Sequence, residues 1–475
     1  MNAVSASILI VLLLVVSFGS RRWALLAVMA GVFFLTQGHA VEAGGLRLFP
    51  IRFIVAFAFV RVVVRRELVW SRLNRIDHTL LFLYNYAALV WILRSSEREA
   101  QQFASAIDPT LCYLAFRGLI GGLEDLRRLL NALVVLLVPF TVLVLLERLS
   151  GQSAFMMVGA TGGLYFRDGI ARCQGSFRHA VLLGSTAASF LPLYIALFLA
   201  GRLRSVALTG GALCVALIAL SHSGGPLTSA GAALFGWFLW PLRERMALVR
   251  RATLAVLLFL MVFMKSPIWY LPFKISSVVG GGGFHRSLLM EQAWLHLDQW
   301  WLFGMDVRLT GVWMPYVLEA VGGGADVTNQ FLVFGIRGGL LAVGLTVGVL
   351  ALGFVTIGNL SASARASVNR KMADQFLLWG LGVALFVHAV SWLGTSYFDQ
   401  SWVVWLMHLA AVSSAMQAAE YAAPERITES TVAQETVRIR GVRPTVRNRL
   451  WTGSRGSTGA RMKPQGVMQH KWQKS

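Results

Sequence analysis

Acidic residues are scarce: 22 Asp and Glu stand among 475 residues, against 43 Lys and Arg, and only 14% of the chain is charged. A soluble domain of this length carries about a quarter charged residues, so the shortfall excludes an ordinary water-soluble chain. Cysteine is rarer still. Cys112, Cys173 and Cys214 show no Cys-x-x-Cys spacing, so neither a disulfide framework nor a zinc site is implied. The sequence has no repeat of solenoid period and no inverted pair of broken apolar segments, which weakens a secondary transporter without excluding it. The first apolar run, Ile8 to Phe18, has no basic stretch before it and no Ala-x-Ala site after it. It reads as a retained segment rather than a cleaved signal.

What the chain has in quantity is apolar sequence: 56% hydrophobic residues and a mean hydropathy of +0.64. Runs long enough for spans fall near 5–19, 23–38, 49–64, 78–94, 103–120, 129–146, 179–200, 205–221, 226–241, 252–268, 328–358, 374–394 and 399–416. The expected fold class is all-α, a polytopic transmembrane helical bundle of about 12–13 spans, with a large external loop containing an interfacial amphipathic helix. The net charge of +21 sits in short runs at span ends, which fits positive-inside anchoring and contact with anionic membrane lipids rather than nucleic acid. Arg21-Arg22, Arg65 to Arg75, Arg127-Arg128, Arg202 with Arg204, Arg243 to Arg251 and Arg365 to Lys371 mark one side. The intervening segments, including 147–178 and 265–327, are poor in basic runs and mark the other. Arg52, Arg61 and Asp108 lie near span ends, where the arginines can snorkel. The tail after 418 is basic and almost free of apolar runs, so an irregular segment near an anionic leaflet is expected.

The longest polar interruption runs from Lys265 to Thr328. Within it, 285–301 is amphipathic: Leu289, Met290, Ala293, Leu297, Trp300 and Trp301 share one arc, and Ser287, Glu291, Gln292, His296, Asp298 and Gln299 lie opposite. This pattern predicts one helix lying in the membrane interface. Arg286 falls on the apolar arc just after Gly280 to Gly283, and a cation aimed inward needs an anionic partner. Glu291 and Asp298 read as solvated, and the glycine runs 280–283 and 322–324 as loop hinges. Two further polar patches, Arg172 to His179 and Ser221 to Pro226, fall on the same predicted side.

These patches carry a resemblance. Arg172-x-x-Gly175-x-Phe177 followed by Gly184, the small-residue turn Ser221-His222-Ser223-Gly224-Gly225, the Arg-led segment Arg286 to Gly304, and Thr328-Asn329-Gln330-Phe331-Leu332 with Gly335 and Gly338-Gly339-Leu340 appear in that order. Together they resemble the O-antigen ligase and O-antigen polymerase superfamily over 170–345. The chain departs from the family pattern at Thr328, where many members have a histidine used as general base, and its Ser/Gly turn lacks the usual arginine. Asp326 or His179 would have to serve instead.

The resemblance implies a metal-independent, GT-C-like glycosyltransferase with no cofactor, moving glycan from a polyprenyl pyrophosphate to a sugar hydroxyl. It implies Arg172, Arg286 and Asp326 as catalytic residues and Arg178, His179, His222 and Asn329 as substrate-binding residues. Fixed guanidinium groups suit a leaving group that gains negative charge as the anomeric bond breaks. The expected partners are a polyprenyl-pyrophosphate-linked glycan donor, a glycan acceptor, membrane lipids, a chain-length regulator and a flippase. The expected location is the bacterial inner membrane, with the site facing the periplasm and the C-terminus the cytoplasm. The expected division is 1–146 N-terminal helices, 147–360 ligase-like core, 361–418 C-terminal helices and 419–475 tail. Polymerase is the first reading, a ligase acting on lipid A core its alternative, and a polysaccharide-related transporter the alternative from another class.

Overall fold

The computed structural model describes every residue except 39, 44–45, 96–99, 161–162, 202, 272–273, 275–282, 315–323, 367–371 and 441–475. Gly280 to Gly282, Gly322, Gly323, Arg202 and most of the basic tail therefore lie outside the described residues. The chain divides into two compact units, Met1–Ala422 and Ala423–Ser475. The described part of the second unit is helical and belongs to the last helix, which runs Ser401–Arg440. Helix thus continues past 419, where an irregular segment is expected; the stretch around 416–437 is rich in Ala, Glu and Gln, which favour helix.

The first unit is a helical bundle. Its helices are α1 (Ala3–Phe18), α2 (Arg21–Phe34), α3 (Pro50–Val64), α4 (Arg75–Arg94), α5 (Ala100–Leu119), α6 (Leu123–Ser150), α7 (Ala180–Leu199), α8 (Arg204–Leu220), α9 (Gly224–Phe238) and α10 (Met246–Phe263). After them come α11 (Phe284–Leu295), α12 (Leu297–Trp300), α13 (Gln330–Ala366), α14 (Met372–Trp392) and α15, the helix that begins at Ser401. Strand content among the described residues is two short antiparallel hairpins, β1–β2 (Val41–Ala43, Leu46–Leu48) and β3–β4 (Tyr165–Arg167, Ile170–Arg172).

Among the described residues, seven helices are long and apolar enough to cross a membrane: α4, α6, α7, Trp240–Phe263 around α10, α13, α14, and Ser401–Glu420 of α15. The other expected spans also form helices. At 14 to 17 residues, α1, α2, α3, α8 and α9 are shorter than the about 20 residues that a hydrocarbon core about 30 Å thick calls for. Helix α5 is long enough but carries Asp108 and Arg117. A membrane is also what the surface requires. None of the residues of α10 is buried, and Leu254, Val256, Phe259 and Val262 are all exposed, an apolar face that water would not tolerate.

Helix α7 is the centre of the half that carries the polar patches. It is buried nearly all round, packed on α8, α9 and α14. Gly184 sets how closely α9 approaches: a Cβ there would lie 2.6 Å from Pro226 and from the Ser221 hydroxyl. The start of α9 therefore rests directly on α7.

Three arginines inside the bundle are matched by carboxylates. Arg52 and Arg61, expected to snorkel, are instead ion-paired to Asp108 at 2.7 Å and Glu67 at 3.0 Å. Deeper still, Arg117 pairs with Asp77 at 2.8 Å, both fully buried. Burial makes an unmatched charge far more costly than snorkelling allows, and so the pairs form. A second buried chain, Tyr397–His388–His408, is linked at 2.8 and 2.9 Å.

The predicted single interfacial helix is two. At His296 (φ −104°, ψ 27°) the chain leaves helical geometry, separating α11 from α12. Leu289, Ala293 and Trp300 are buried as expected, but Ser287 joins them, donating to the Trp269 carbonyl at 3.4 Å. Glu291 is not simply solvated, since it accepts from the Tyr270 hydroxyl. Trp301 is exposed. The cause is a docking contact: Met305 N donates to the Ile336 carbonyl and Leu340 N to the Trp301 carbonyl, both at 2.7 Å. Those bonds occupy a break in α13 at Gly338–Gly339. Gly339 (φ +68°) is required there, because a Cβ would lie 2.2 Å from the Leu302 oxygen.

Candidate anion-binding site

The β3–β4 hairpin turns through Asp168-Gly169, at φ +53° and +73°, the geometry of a type I′ turn. Its register pairs Tyr165 with Arg172 and Arg167 with Ile170. Directly opposed and alternate residues share a face of a hairpin. Arg167 and Arg172 are thus presented together, while Ala171 is buried on the reverse face.

The hairpin is fixed by the turn that follows it. Cys173 N donates to the Leu220 carbonyl at 3.1 Å, joining it to the end of α8. The buried carboxylate of Glu147, at the end of α6, accepts from Gln174 N at 2.7 Å and Gly175 N at 3.1 Å. Gly175 has φ +58°, and a Cβ would lie 2.9 Å from Phe140. Phe177 is buried beside Phe33, with ring centroids 6.5 Å apart. This is the physical content of the Arg172-x-x-Gly175-x-Phe177 pattern: an anchored turn that delivers Arg172 at one end and His179 at the other.

Arg167, Arg172, His179, Ser223, Gly224, Gly225 and Arg286 line one cavity of about 150 Å³, together with Val181. Arg172 Nη2 donates to Ser223 Oγ at 2.6 Å, and its Nε is buried without a partner. Arg286, in the first turn of α11, lies against Gly394, where a Cβ would be 3.2 Å from its Cδ and Nε. The buried arginines Arg61 and Arg117 each have a carboxylate; among the described residues none of these three does. Burial, then mutual repulsion, lowers the pKa of Arg172 and Arg286, with Asp326 partly offsetting the effect on Arg286. An arginine stays protonated under such shifts. The cavity is therefore a concentration of positive charge without a counterion.

Backbone adds to it. The N-termini of α7 and α9 both open on the cavity. Ser223 is at the N-cap position of α9, but its hydroxyl accepts from Arg172 rather than capping the helix. Among the described residues the Gly224 and Gly225 N–H groups have no hydrogen-bond partner. Unsatisfied N–H groups at a helix start attract anions.

His179 caps α7, its Nδ1 accepting from Val181 N at 3.2 Å. Burial first, then Arg172, lower its pKa, so the ring is neutral and carries its proton on Nε2. In that form it donates to a bound oxygen and is not a base. A folded-state pKa below the unfolded value of about 6.5 makes the cap a source of stability at neutral pH that is lost as pH falls. The wild type should therefore lose thermal stability in detergent as pH falls from about 6.5 to about 5, and His179→Asn, which keeps a capping side chain, should lose less. An unchanged pH dependence in that variant would remove His179 as the titrating group.

The remaining sequence candidates lie around the cavity rather than in it. Arg178 makes a bidentate ion pair with Asp399 and sits 5.7 Å from the Phe398 ring. His222 takes φ +41° in the turn before α9. Asn329 immediately precedes α13, its Oδ1 accepting from Leu332 N at 3.1 Å and its Nδ2 donating to the Leu393 carbonyl at 3.3 Å. It thereby holds α13 to the segment against which Arg286 packs. Asp326 is exposed; its backbone oxygen is 3.3 Å from His285 Nε2, and its charge acts on both Arg286 and His179. Arg167 was missed by the sequence reading. The Asp-Gly pair between two short runs was the signal for it. Comparison with protein families, with curated proteins and with solved structures finds no match.

Proposed function

We propose that the protein is an inner-membrane glycan polymerase that binds the diphosphate of a polyprenyl-linked glycan donor in the arginine-lined cavity. The observation that carries this reading is the convergence of Arg167, Arg172 and Arg286, none ion-paired among the described residues, on one cavity at two helix N-termini. A diphosphate is the anion such a site suits: multiply charged, with several acceptor oxygens for guanidinium and N–H donors.

In the proposed reaction an acceptor hydroxyl oxygen attacks the anomeric carbon of the donor. The anomeric C–O bond breaks, and its electron pair passes to the diphosphate, whose growing charge the arginines stabilise. His179 donates from Nε2 to a diphosphate oxygen. The acceptor proton passes to Asp326, the exposed carboxylate whose charge acts on Arg286 and His179. The distribution of Lys and Arg at span ends supports a periplasmic site and a cytoplasmic C-terminus.

The test is the product that accumulates when the gene is deleted. Single lipid-linked repeat units in place of long glycan, with lipid A core otherwise normal, are expected. Full-length lipid-linked polymer that fails to reach lipid A core would replace the polymerase reading with the ligase one.

A further inference from the structure

Outside this cavity, Arg337 is a part-buried arginine for which no ion pair is found among the described residues. Arg337 lies in α13 immediately before the Gly338–Gly339 break, and no hydrogen bond or ion pair reaches its guanidinium among the described residues. Its guanidinium lies against a ring: Cζ is 4.4 Å from the centroid of Trp91, near the end of α4. Elsewhere in the bundle the same type of charge is matched, as Arg52, Arg61 and Arg117 are. Leaving a cation unmatched within a spanning helix is costly and marks a functional position unless something outside the chain supplies the anion.

The surroundings say where that anion comes from. Arg337 is seven residues into α13, about 10 Å along its axis, and Trp91 is three residues from the last residue of α4. That places the pair close to one end of each helix, where tryptophan marks the headgroup region. Arg337 and Trp91 are each part-exposed, and Leu89, Leu93, Leu340 and Leu341, at the same level of the two helices, are exposed. In a membrane-embedded chain the exposed leucines face acyl chains, and the part-exposed Arg337 and Trp91 lie at that level on the seam between the two helices.

We infer that Arg337 and Trp91 form a lipid-phosphate site on the seam between α4 and α13, separate from the arginine-lined cavity and independent of the reaction proposed for it. The guanidinium donates to the phosphate oxygens of a membrane lipid, Trp91 holds it by cation–π contact, and the exposed leucines flank the acyl chain. The site also has a structural consequence. Arg337 lies between the two backbone bonds, at Ile336 and Leu340, that fasten the turn after α12 to α13. A lipid bound there bears on the segment that carries α11 and Arg286.

The experiment is native mass spectrometry of the full chain from phosphatidylcholine nanodiscs containing a minor fraction of either phosphatidylglycerol or a polyprenyl phosphate. The wild type should retain one tightly bound phosphate lipid that Arg337→Gln loses, with affinity about ten- to a hundredfold lower, as the loss of one charge-assisted contact implies. Arg337→Lys should recover part of the binding, Arg172→Ala should keep this lipid, and millimolar inorganic phosphate should leave it in place. The arm with the stronger retention identifies the lipid class. Equal retention by Arg337→Gln and wild type, or displacement by inorganic phosphate, would overturn the inference.

Discussion

Arg172→Ala and Arg286→Ala should each cut glycan transfer by about a hundredfold or more, while the protein remains in the membrane at normal level. Removing one donor aimed at developing negative charge typically costs that much, and these two arginines line one cavity in which, among the described residues, neither is ion-paired to a carboxylate. Lysine at either position should rescue only part of the loss. It keeps the charge but not the planar fork, and Arg172 uses one arm of that fork on Ser223 Oγ at 2.6 Å. Gly169→Val offers a different route to the same defect. A β-branched residue at φ +73° strains the hairpin turn, so Arg167 and Arg172 move together without either being changed. The readout is polymer formed by membranes of a deletion strain carrying each variant, beside an immunoblot for protein level. Wild-type transfer by both alanine variants would remove the diphosphate site as the seat of the reaction.

How much of this could be read without coordinates depends on the range of the interactions involved. Helix positions were legible because an apolar run needs only its own residues; every expected span coincides with a helix, and the departures are of length or a break. The departures have long-range causes. The kink at Gly338–Gly339 exists because the Trp301 and Met305 backbone bonds into it from thirty-odd residues away. Nothing in a 3.6-residue period reports such a contact. Ser287 was placed with the polar residues by its spacing, and its burial follows from the Trp269 carbonyl that receives its hydroxyl.

The site divides in the same way. Arg172, His179 and Arg286 were singled out from their segments, and the structure brings all three to one cavity. Arg178 lies one residue from His179, yet its pairing with Asp399, on a segment more than two hundred residues later, takes it out of the cavity. No local pattern distinguishes an arginine awaiting an anion from one already matched. Partnership decides it, and only tertiary structure supplies the partner. Arg167 is the converse case, since the Asp-Gly turn fixes its register with Arg172 and a hairpin reading would have found both.

Where an arginine is already matched, the expected effect falls on stability instead. Asp77 accepts from Arg117 Nε at 2.8 Å, from the Tyr113 hydroxyl and from Ser413 Oγ at 2.6 Å, and its second oxygen accepts from Asn74 N at 2.7 Å. Asp77→Ala leaves the Arg117 guanidinium buried with only Ser414 and Gln417 for partners. An uncompensated buried charge of this kind costs about 3–5 kcal/mol, and loss of the capping box with Asn74 adds about 1 kcal/mol. Together these are a large share of the 5–15 kcal/mol that holds a typical domain, so the variant should accumulate poorly and melt well below wild type in detergent. Removing both charges should be far milder. In Asp77→Leu with Arg117→Met no ion is left unmatched, and apolar replacements of a buried pair are often neutral or stabilising, so the double variant should recover most of the loss and retain the capping defect and the lost bonds of Tyr113 and Ser413. Thermal unfolding of the two variants beside wild type measures this directly. If the double variant melts no higher than Asp77→Ala, the cost lies in the hydrogen-bonded network around Asp77 rather than in the stranded charge of Arg117.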